Sequence, residues 1–287
     1  MCFCCSLAYW IQAGLPGIIL NACLVMTTTR IDISDGCAVR NHHWRNIIMK
    51  FKTETMIGAL LVTAGMLTAT SSMAEEIESS LMRGAQLYDK WYAVEGGETQ
   101  APETRHPLYP EDGKYADKAG TTWRCKECHG WDYMGKDGAY SSGKHSTGIK
   151  GINGMKGAET SAIIAVLKSP EHGYGDKLSD ADIADLANFV SMGQIDMDQY
   201  IDRANKTPKG DARKGAAYFN TVCSSCHGRD GKQPEEMKPF GRQMDNPWEV
   251  MHKILNGHPG EKMPSLRVFD HQAAADIMSH MTTLPKE

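Results

Sequence analysis

Two short motifs of the same form, C-x-x-C-H, most constrain what this 287-residue chain can fold into. One occupies residues 125–129 (CKECH) and the other residues 223–227 (CSSCH). This form is typical of covalent haem attachment, because two thiols add to the haem vinyl groups and the adjacent His binds the iron. The motifs therefore predict two covalently bound haem c groups. The residues predicted to hold them are the cysteines Cys125, Cys128, Cys223 and Cys226 and the proximal iron ligands His129 and His227.

A zinc site is the alternative interpretation of the same four cysteines. Structural zinc needs four ligands, so the two C-x-x-C pairs would have to combine into one site. Such a site gives no reason for a His directly after the second cysteine of both pairs. We therefore favour covalent haem.

The remaining five cysteines all lie in the first 48 residues, just before a segment typical of a secretory signal. After Met49, two lysines precede an apolar stretch at residues 56–70, and residues 72–74 (SMA) form a small-x-Ala cleavage site. We interpret residues 49–74 as a signal peptide that is cleaved after Ala74. We interpret residues 1–48 as an extension that comes from an upstream start-site assignment.

A membrane segment within residues 1–26 is the alternative for the start of the chain. Its apolar stretch, residues 15–26, is interrupted by proline, glycine and asparagine and holds too few consecutive apolar residues for a convincing span. The signal peptide instead indicates export. Haem is attached outside the cytoplasm in bacteria, so the signal and the two motifs independently predict a periplasmic protein.

The charge balance limits the classes of partner. Residues 75–287 carry 26 Lys and Arg against 32 Asp and Glu, a net charge of −6 with His neutral. This acidic balance argues against nucleic acid and against an anionic membrane surface as partners.

A degenerate internal repeat organises the chain after Ala74. Each half reads as helix, C-x-x-C-H, loop, helix, loop, helix, and no segment shows the sustained alternation of a strand. The fold class is therefore expected to be all-α, with domain one at residues 75–192, a linker at 193–210 and domain two at 211–287. The predicted helices cover 76–91, 160–168 and 247–255, and two more follow the N-caps Ser179 and Asp270.

The first half carries an insertion that the second half lacks. Phe219 stands four residues before Cys223, whereas Tyr88 stands 37 residues before Cys125. The extra residues, roughly 92–122, are rich in Pro and Gly and are predicted to form a loop without regular structure. We expect this loop to wrap the edge of the first haem.

The second axial ligand of each iron is predicted from the register of the repeat. Met263 precedes the cap Asp270 by seven residues and is the predicted ligand of haem two, with His258 as the alternative. The same count from Ser179 gives His172, which is the predicted ligand of haem one. Because Met raises the reduction potential relative to His, haem one would have the lower potential. Three other candidates precede the middle helix of the first half, on the wrong side for this topology: Met134, His145 and Met155.

These residues resemble the bacterial dihaem c-type cytochromes that have two class I cytochrome c domains. The resemblance is carried by both C-x-x-C-H motifs, by the pairs Gly84/Tyr88 and Gly215/Phe219, and by the loop Gly-His-Pro-Gly-x-x-Met-Pro. It implies that each glycine lets the first helix of a domain cross the last one closely, with aromatic rings at the crossing. Phe189 suits this role in the first half, whereas the last helix of the second half lacks an aromatic residue.

Within this group the layout resembles that of cytochrome c4-like carriers, although these carry Met at both distal positions and His172 departs from that pattern. Thiosulfate dehydrogenases resemble the chain less, because their active haem has a Cys distal ligand and no free cysteine follows Ala74. Dihaem peroxidases need an open distal position, so they become relevant only if His172 is not a ligand.

The expected function is single-electron transfer between redox partner proteins in the periplasm, with no catalytic residue that stands out. One alternative is an oxidoreductase that acts on a small inorganic substrate at haem one. Another is a haem subunit of a larger membrane respiratory complex.

Overall fold

The computed structural model describes residues 75–94 and 100–287, all of which belong to one compact unit, Leu61–Glu287. The predictions made for residues 1–48 and 49–74 lie outside the described residues. Within the described ranges, no helix combines the length and the apolar character that a membrane crossing requires. The described chain is rich in helix and has little strand, as the all-α prediction requires.

The helices of the first half, residues 75–192, follow the predicted order. They are α1 (75–90), α2 (Ala119–Thr122), α3 (Cys125–His129), α4 (Thr160–Leu167) and α5 (Asp180–Asn188). A 3-10 turn, Trp91–Ala93, extends α1, and a π-helical turn, Phe189–Gly193, extends α5.

The second half, residues 211–287, follows a short connecting segment and has a similar order, except that its short additional helix comes after the motif helix and not before it. Its helices are α6 (Ala212–Tyr218), α7 (Ser224–His227), α8 (Phe240–Gln243), α9 (Pro247–Asn256) and α10 (His271–Met281). The connecting segment holds two antiparallel two-residue strands, β1 (Ile201–Asp202) and β2 (Thr207–Pro208). This small ladder was not predicted, because two residues per strand are too few to give an alternating pattern.

Side-chain caps begin the last helix of each half, as the sequence predicts. The hydroxyl of Ser179 accepts a hydrogen bond from the backbone N–H of Asp182 at the start of α5. The carboxylate of Asp270 accepts one from the backbone N–H of Gln272 at the start of α10. Each cap satisfies a donor that the first turn of a helix otherwise leaves unpaired.

A close helix crossing repeats in the two halves, as the resemblance implies. A Cβ atom at Gly84 in α1 would lie 2.1 Å from the carbonyl oxygen of Asp185 in α5. A Cβ atom at Gly215 in α6 would lie 1.8 Å from the carbonyl oxygen of Asp276 in α10. Both positions therefore have room only for hydrogen. The close approach lets the first and last helices of each half bury their apolar faces against each other.

Rings pack beside both crossings. Tyr88 lies 5.6 Å from Phe189 in the first half, measured between ring centroids. In the second half, the imidazole of His280 takes the place of the missing aromatic residue and lies 5.2 Å from Phe219 in an edge-to-face arrangement. His280 was not predicted as the ring at this crossing, because only Phe, Tyr and Trp were considered for that role.

The insertion between α1 and α3 is mostly turns, with one correction to its prediction. It ends in the short helix α2, so it is not wholly without regular structure. Hydrogen bonds fix the insertion to the segment before the first motif. Trp123 donates through Nε1 to the carbonyl oxygen of Thr104, at 2.8 Å, and the hydroxyl of Thr122 accepts from the N–H of His106, at 2.9 Å.

Direct contacts join the two halves around α9. Gln86 in α1 donates to the carbonyl oxygen of Asn256, at 2.8 Å. The guanidinium of Arg267 donates to the carbonyl oxygen of Gly193, at 2.9 Å, and to the side chain of Asn256. The buried face of α9 thus belongs to a core that both halves share.

Candidate haem sites

The first motif forms α3, and its histidine has one ring nitrogen fixed by the backbone. The Nδ1 atom of His129 lies 2.7 Å from the carbonyl oxygen of Lys150. A carbonyl can only accept, so Nδ1 carries the proton and Nε2 keeps a free lone pair. Metal-ligating histidines commonly have this second hydrogen bond, which fixes the tautomer and the ring orientation. Nε2 of His129 is thus the ring nitrogen that is available to bind a metal.

The surroundings of His129 favour the neutral imidazole that a metal requires. Burial lowers the pKa of His129 to about 4. Charge on His172 or His106 would lower this pKa further. The ring of His106 packs against Trp123, two residues before Cys125, and its Nε2 atom lies 3.2 Å from the carbonyl oxygen of His172. Two histidines therefore lie near the first motif, one of them the predicted distal ligand and the other a residue of the insertion.

The second motif repeats the histidine geometry. The Nδ1 atom of His227 in α7 lies 3.1 Å from the carbonyl oxygen of Gln233. An open cavity of about 630 Å³ adjoins the motif. Its lining residues include Cys226, Gln233, Pro234, Met237 and Pro239. Met237 is a sulfur ligand candidate that sequence reasoning did not consider.

All four motif cysteines are free thiols, which is the state that thioether formation needs. Burial raises the pKa of Cys125 to about 11 and the pKa of Cys128 to about 12. Within residues 75–94 and 100–287, no three His, Cys, Asp or Glu side chains are placed so that they could hold a metal ion.

His172 lies on the turn between α4 and α5, close to the first motif. Its Nδ1 atom is buried and has no hydrogen-bond partner among the described residues. Burial lowers the pKa of this histidine, so the neutral ring is favoured. Tyr174, two residues later, donates to the carbonyl oxygen of Trp123, at 2.7 Å. The turn is thus fixed to the segment that precedes the first motif.

The other candidate distal ligands of the first half contact other parts of the protein. The Nε2 atom of His145 lies 2.7 Å from Nζ of Lys114, and its Nδ1 atom lies 3.8 Å from a carboxylate oxygen of Glu127. The sulfur of Met134 accepts from the guanidinium of Arg203, at 3.3 Å. Met155 packs against the hydrophobic core.

Met263 lies on the loop between α9 and α10, where its partly buried side chain packs against the hydrophobic core. The loop rests on the first half, because Cβ atoms at Gly257 and Gly260 would meet Gln86 and Ala93. His258 lies in the same loop, and burial and the charge of Lys253 lower its pKa. The assignment of Met263 to haem two stays a prediction.

A comparison with known families bears on the second half. The family model described as "Cytochrome C oxidase, cbb3-type, subunit III" matches residues 210–281. The match spans the second motif, Met263 and the crossing of α6 with α10. Residues 210–281 are therefore similar to a c-type cytochrome domain. Such a domain implies covalently bound haem c and an electron-transfer haem protein. No curated protein and no solved structure matches the chain.

The residues at both motifs fit the haem that the matched domain implies. Both motif histidines present a free Nε2, all four thiols are unpaired, and the nitrogen of His172 is buried without a partner. When bound, haem supplies an iron that accepts and releases one electron. The protein supplies attachment, ligand orientation and the exclusion of water.

Proposed function

We propose that the protein is a periplasmic dihaem cytochrome c that transfers single electrons between redox partners. The observation that carries the proposal is the repeated geometry of the two motif histidines. His129 and His227 each fix Nδ1 on a backbone carbonyl, at 2.7 and 3.1 Å, and each follows a free C-x-x-C pair. Residues 75–192 and 211–287 would form the two cytochrome domains, and residues 193–210 would connect them.

The two haems are proposed to differ in their distal ligands. His172 would bind the first iron and Met263 the second. The buried Nδ1 atom of His172, which has no partner among the described residues, and the lowered pKa of its ring support the first assignment. Saturated coordination at both irons would leave no open position for a substrate, which suits a carrier better than an oxidoreductase.

The distribution of charge supports docking through the first half. Residues 75–192 carry 13 Lys and Arg against 19 Asp and Glu, whereas residues 211–287 carry 10 of each. A redox partner with a basic face would thus be attracted to the first half in a weak, salt-sensitive association. We expect association rates that fall as ionic strength rises, and rates that do not fall would contradict this mode of docking.

The function as a dihaem protein is tested by counting haems. Intact mass and the pyridine haemochrome spectrum of the exported protein should give two covalent haems per chain. The double variants Cys125→Ala/Cys128→Ala and Cys223→Ala/Cys226→Ala should each keep one. A single haem in the unmutated chain, lost entirely in one double variant, would overturn the proposal.

A haem subunit of a respiratory complex is the second candidate. It is favoured by the match of residues 210–281 to a domain named for a subunit of a cbb3-type oxidase. Size-exclusion chromatography of native extracts separates the two candidates. The carrier should elute at the size of the free protein, whereas a subunit should elute with a larger assembly.

A further inference from the structure

His106, in the insertion of the first half, makes two hydrogen bonds through its ring. The ring is buried, and its Nδ1 atom accepts from the backbone N–H of Leu108, at 3.1 Å. Nδ1 is therefore unprotonated, and Nε2 carries the proton of the neutral ring. Nε2 lies 3.2 Å from the carbonyl oxygen of His172, to which it must donate. Both nitrogens are used, so His106 is not itself free to bind iron.

The insertion holds His106 on the segment that leads into the first motif. The backbone N–H of His106 donates to the hydroxyl of Thr122, and its ring packs edge-on against Trp123 with the centroids 4.3 Å apart. Trp123 in turn donates to the carbonyl oxygen of Thr104. Residues 104–106 are thus fixed to residues 122–123, which stand three and two residues before Cys125.

The same segment fixes the turn that carries His172. His106 holds the carbonyl of His172, and Tyr174 donates to the carbonyl oxygen of Trp123. The imidazole of His172 extends from a backbone held on both sides, and its Nδ1 atom has no partner among the described residues. The hydrogen bonds of the turn therefore set where the His172 ring can lie relative to His129.

We propose that His106 is a positioning residue that holds His172 on the first iron and so closes the distal side of haem one. This inference rests on the proposed bis-His coordination of that haem. On this inference, the insertion of residues 92–122 serves to position the distal ligand His172. The second half lacks this insertion, and Met263 is the proposed ligand there.

The test is carbon monoxide binding to the reduced full-length dihaem protein, because carbon monoxide binds where a distal ligand leaves. The variant His106→Phe keeps a ring against Trp123 and removes the donor to His172. Its binding rate at haem one should rise about fivefold, the factor that corresponds to about 1 kcal/mol for one hydrogen bond. His106→Gln keeps a donor and should restore a rate near that of the unmutated protein. His172→Ala is the positive control, with an open haem one.

The possible results separate this inference from the proposed function. Fast binding in His172→Ala with an unchanged rate in both His106 variants overturns the role of His106 and leaves the bis-His assignment intact. Equal rates in the unmutated protein and His172→Ala overturn the bis-His assignment itself. If His106→Phe does not retain haem one, the carbon monoxide binding rate of Thr122→Val tests the role of His106 instead. This variant removes the hydroxyl that accepts from the backbone N–H of His106 and donates to the carbonyl oxygen of Ala119, and an unchanged rate in it overturns the inference.

Electron paramagnetic resonance of the oxidised protein gives a second readout. A changed orientation of the His172 ring should shift the low-spin signal of haem one in His106→Phe, with the haem two signal unchanged as an internal reference. A loss of stability alone would not shift one signal selectively. An unshifted haem one signal in that variant would therefore overturn the inference.

Discussion

Tyr133 of the first half donates a hydrogen bond to His252 of the second half, with 2.9 Å between the hydroxyl oxygen and Nδ1. The direction follows from the other ring nitrogen, because Nε2 lies 3.1 Å from the carbonyl oxygen of Ala85 and must donate to it. His252 is fully buried and is surrounded by the rings of Tyr88, Trp131 and Phe189. One neutral histidine thus joins α9 to the core of the first half.

Removing the donor to His252 should destabilise the protein. In Tyr133→Phe the ring can keep its packing, but Nδ1 of His252 loses its only donor and stays buried. An unsatisfied buried acceptor costs about 1–3 kcal/mol. Urea unfolding of the haem-loaded protein should show this loss in the free energy of unfolding. Tyr218→Phe is the matched control, because the Tyr218 side chain is exposed and its variant should unfold like the unmutated protein. Equal stability of the two variants would contradict the prediction.

The buried position of His252 also predicts how stability depends on pH. Burial lowers the pKa of His252 from the ordinary 6.5 to about 4. Between these values the unfolded chain binds a proton that the folded protein does not, so acid favours unfolding. The stability is fully present above about pH 7 and is lost as the pH falls toward 4, by about 3 kcal/mol at most for a shift of this size.

Urea unfolding at a series of pH values measures this loss. The variant His252→Gln removes the titrating group and keeps an amide that can donate and accept. The fall in the free energy of unfolding between pH 6.5 and 4 should be shallower in this variant. A variant with the same pH dependence as the unmutated protein would show that other groups cause the loss.

Local features of the fold could be predicted from the sequence, whereas the contacts between the halves could not. The caps Ser179 and Asp270 follow from a short pattern and are found in the structure. The close approach at Gly84 and Gly215, which the resemblance implies, is found there too. Tyr133 and His252 are 119 residues apart, and neither lies in a motif. A long-range polar contact of this kind leaves no periodic signal, because its two residues are selected by the packing of whole helices.

The candidate haem sites were likewise only partly predictable from the sequence. The motif histidines are evident from sequence, but their carbonyl partners at Lys150 and Gln233 are not, since any residue can supply a carbonyl. His106 was visible only as part of an insertion rich in Pro and Gly. Its contact with His172 depends on how that insertion folds back, which no local pattern specifies.

The glycine crossings should tolerate no added methyl group. In Gly215→Ala the new Cβ would lie 1.8 Å from the carbonyl oxygen of Asp276, so α6 and α10 must separate. Overpacking of this kind costs about 1–3 kcal/mol or more. Thermal unfolding should show a lower midpoint for Gly215→Ala and for Gly84→Ala. The control is Gly154→Ala, where a Cβ meets nothing within 4 Å, and a similar loss there would contradict the packing explanation.

The distal ligand of haem two should be visible in the near-infrared spectrum of the oxidised protein. A Met ligand on ferric haem gives a weak charge-transfer band at the red edge. One such band is expected, and it should persist in His172→Ala and vanish in Met263→Leu. Met237→Leu is the matched control, because Met237 is a second sulfur beside the Cys226 cavity. Loss of the band in Met237→Leu alone would transfer the ligand assignment to Met237, and two bands in the unmutated protein would contradict bis-His coordination of haem one.

Haem one should have a lower reduction potential than haem two because of their proposed distal ligands. Met raises the potential of a haem relative to His, so redox titration should resolve a lower step for haem one and a higher step for haem two. In Met263→His the higher step should move down toward the lower one, and the lower step should stay in place. Met237→His, whose side chain lines the same cavity as Cys226, is the control and should leave both steps unchanged. If Met263→His shifts the lower step and leaves the higher one in place, then Met263 serves the low-potential haem and the proposed order is wrong.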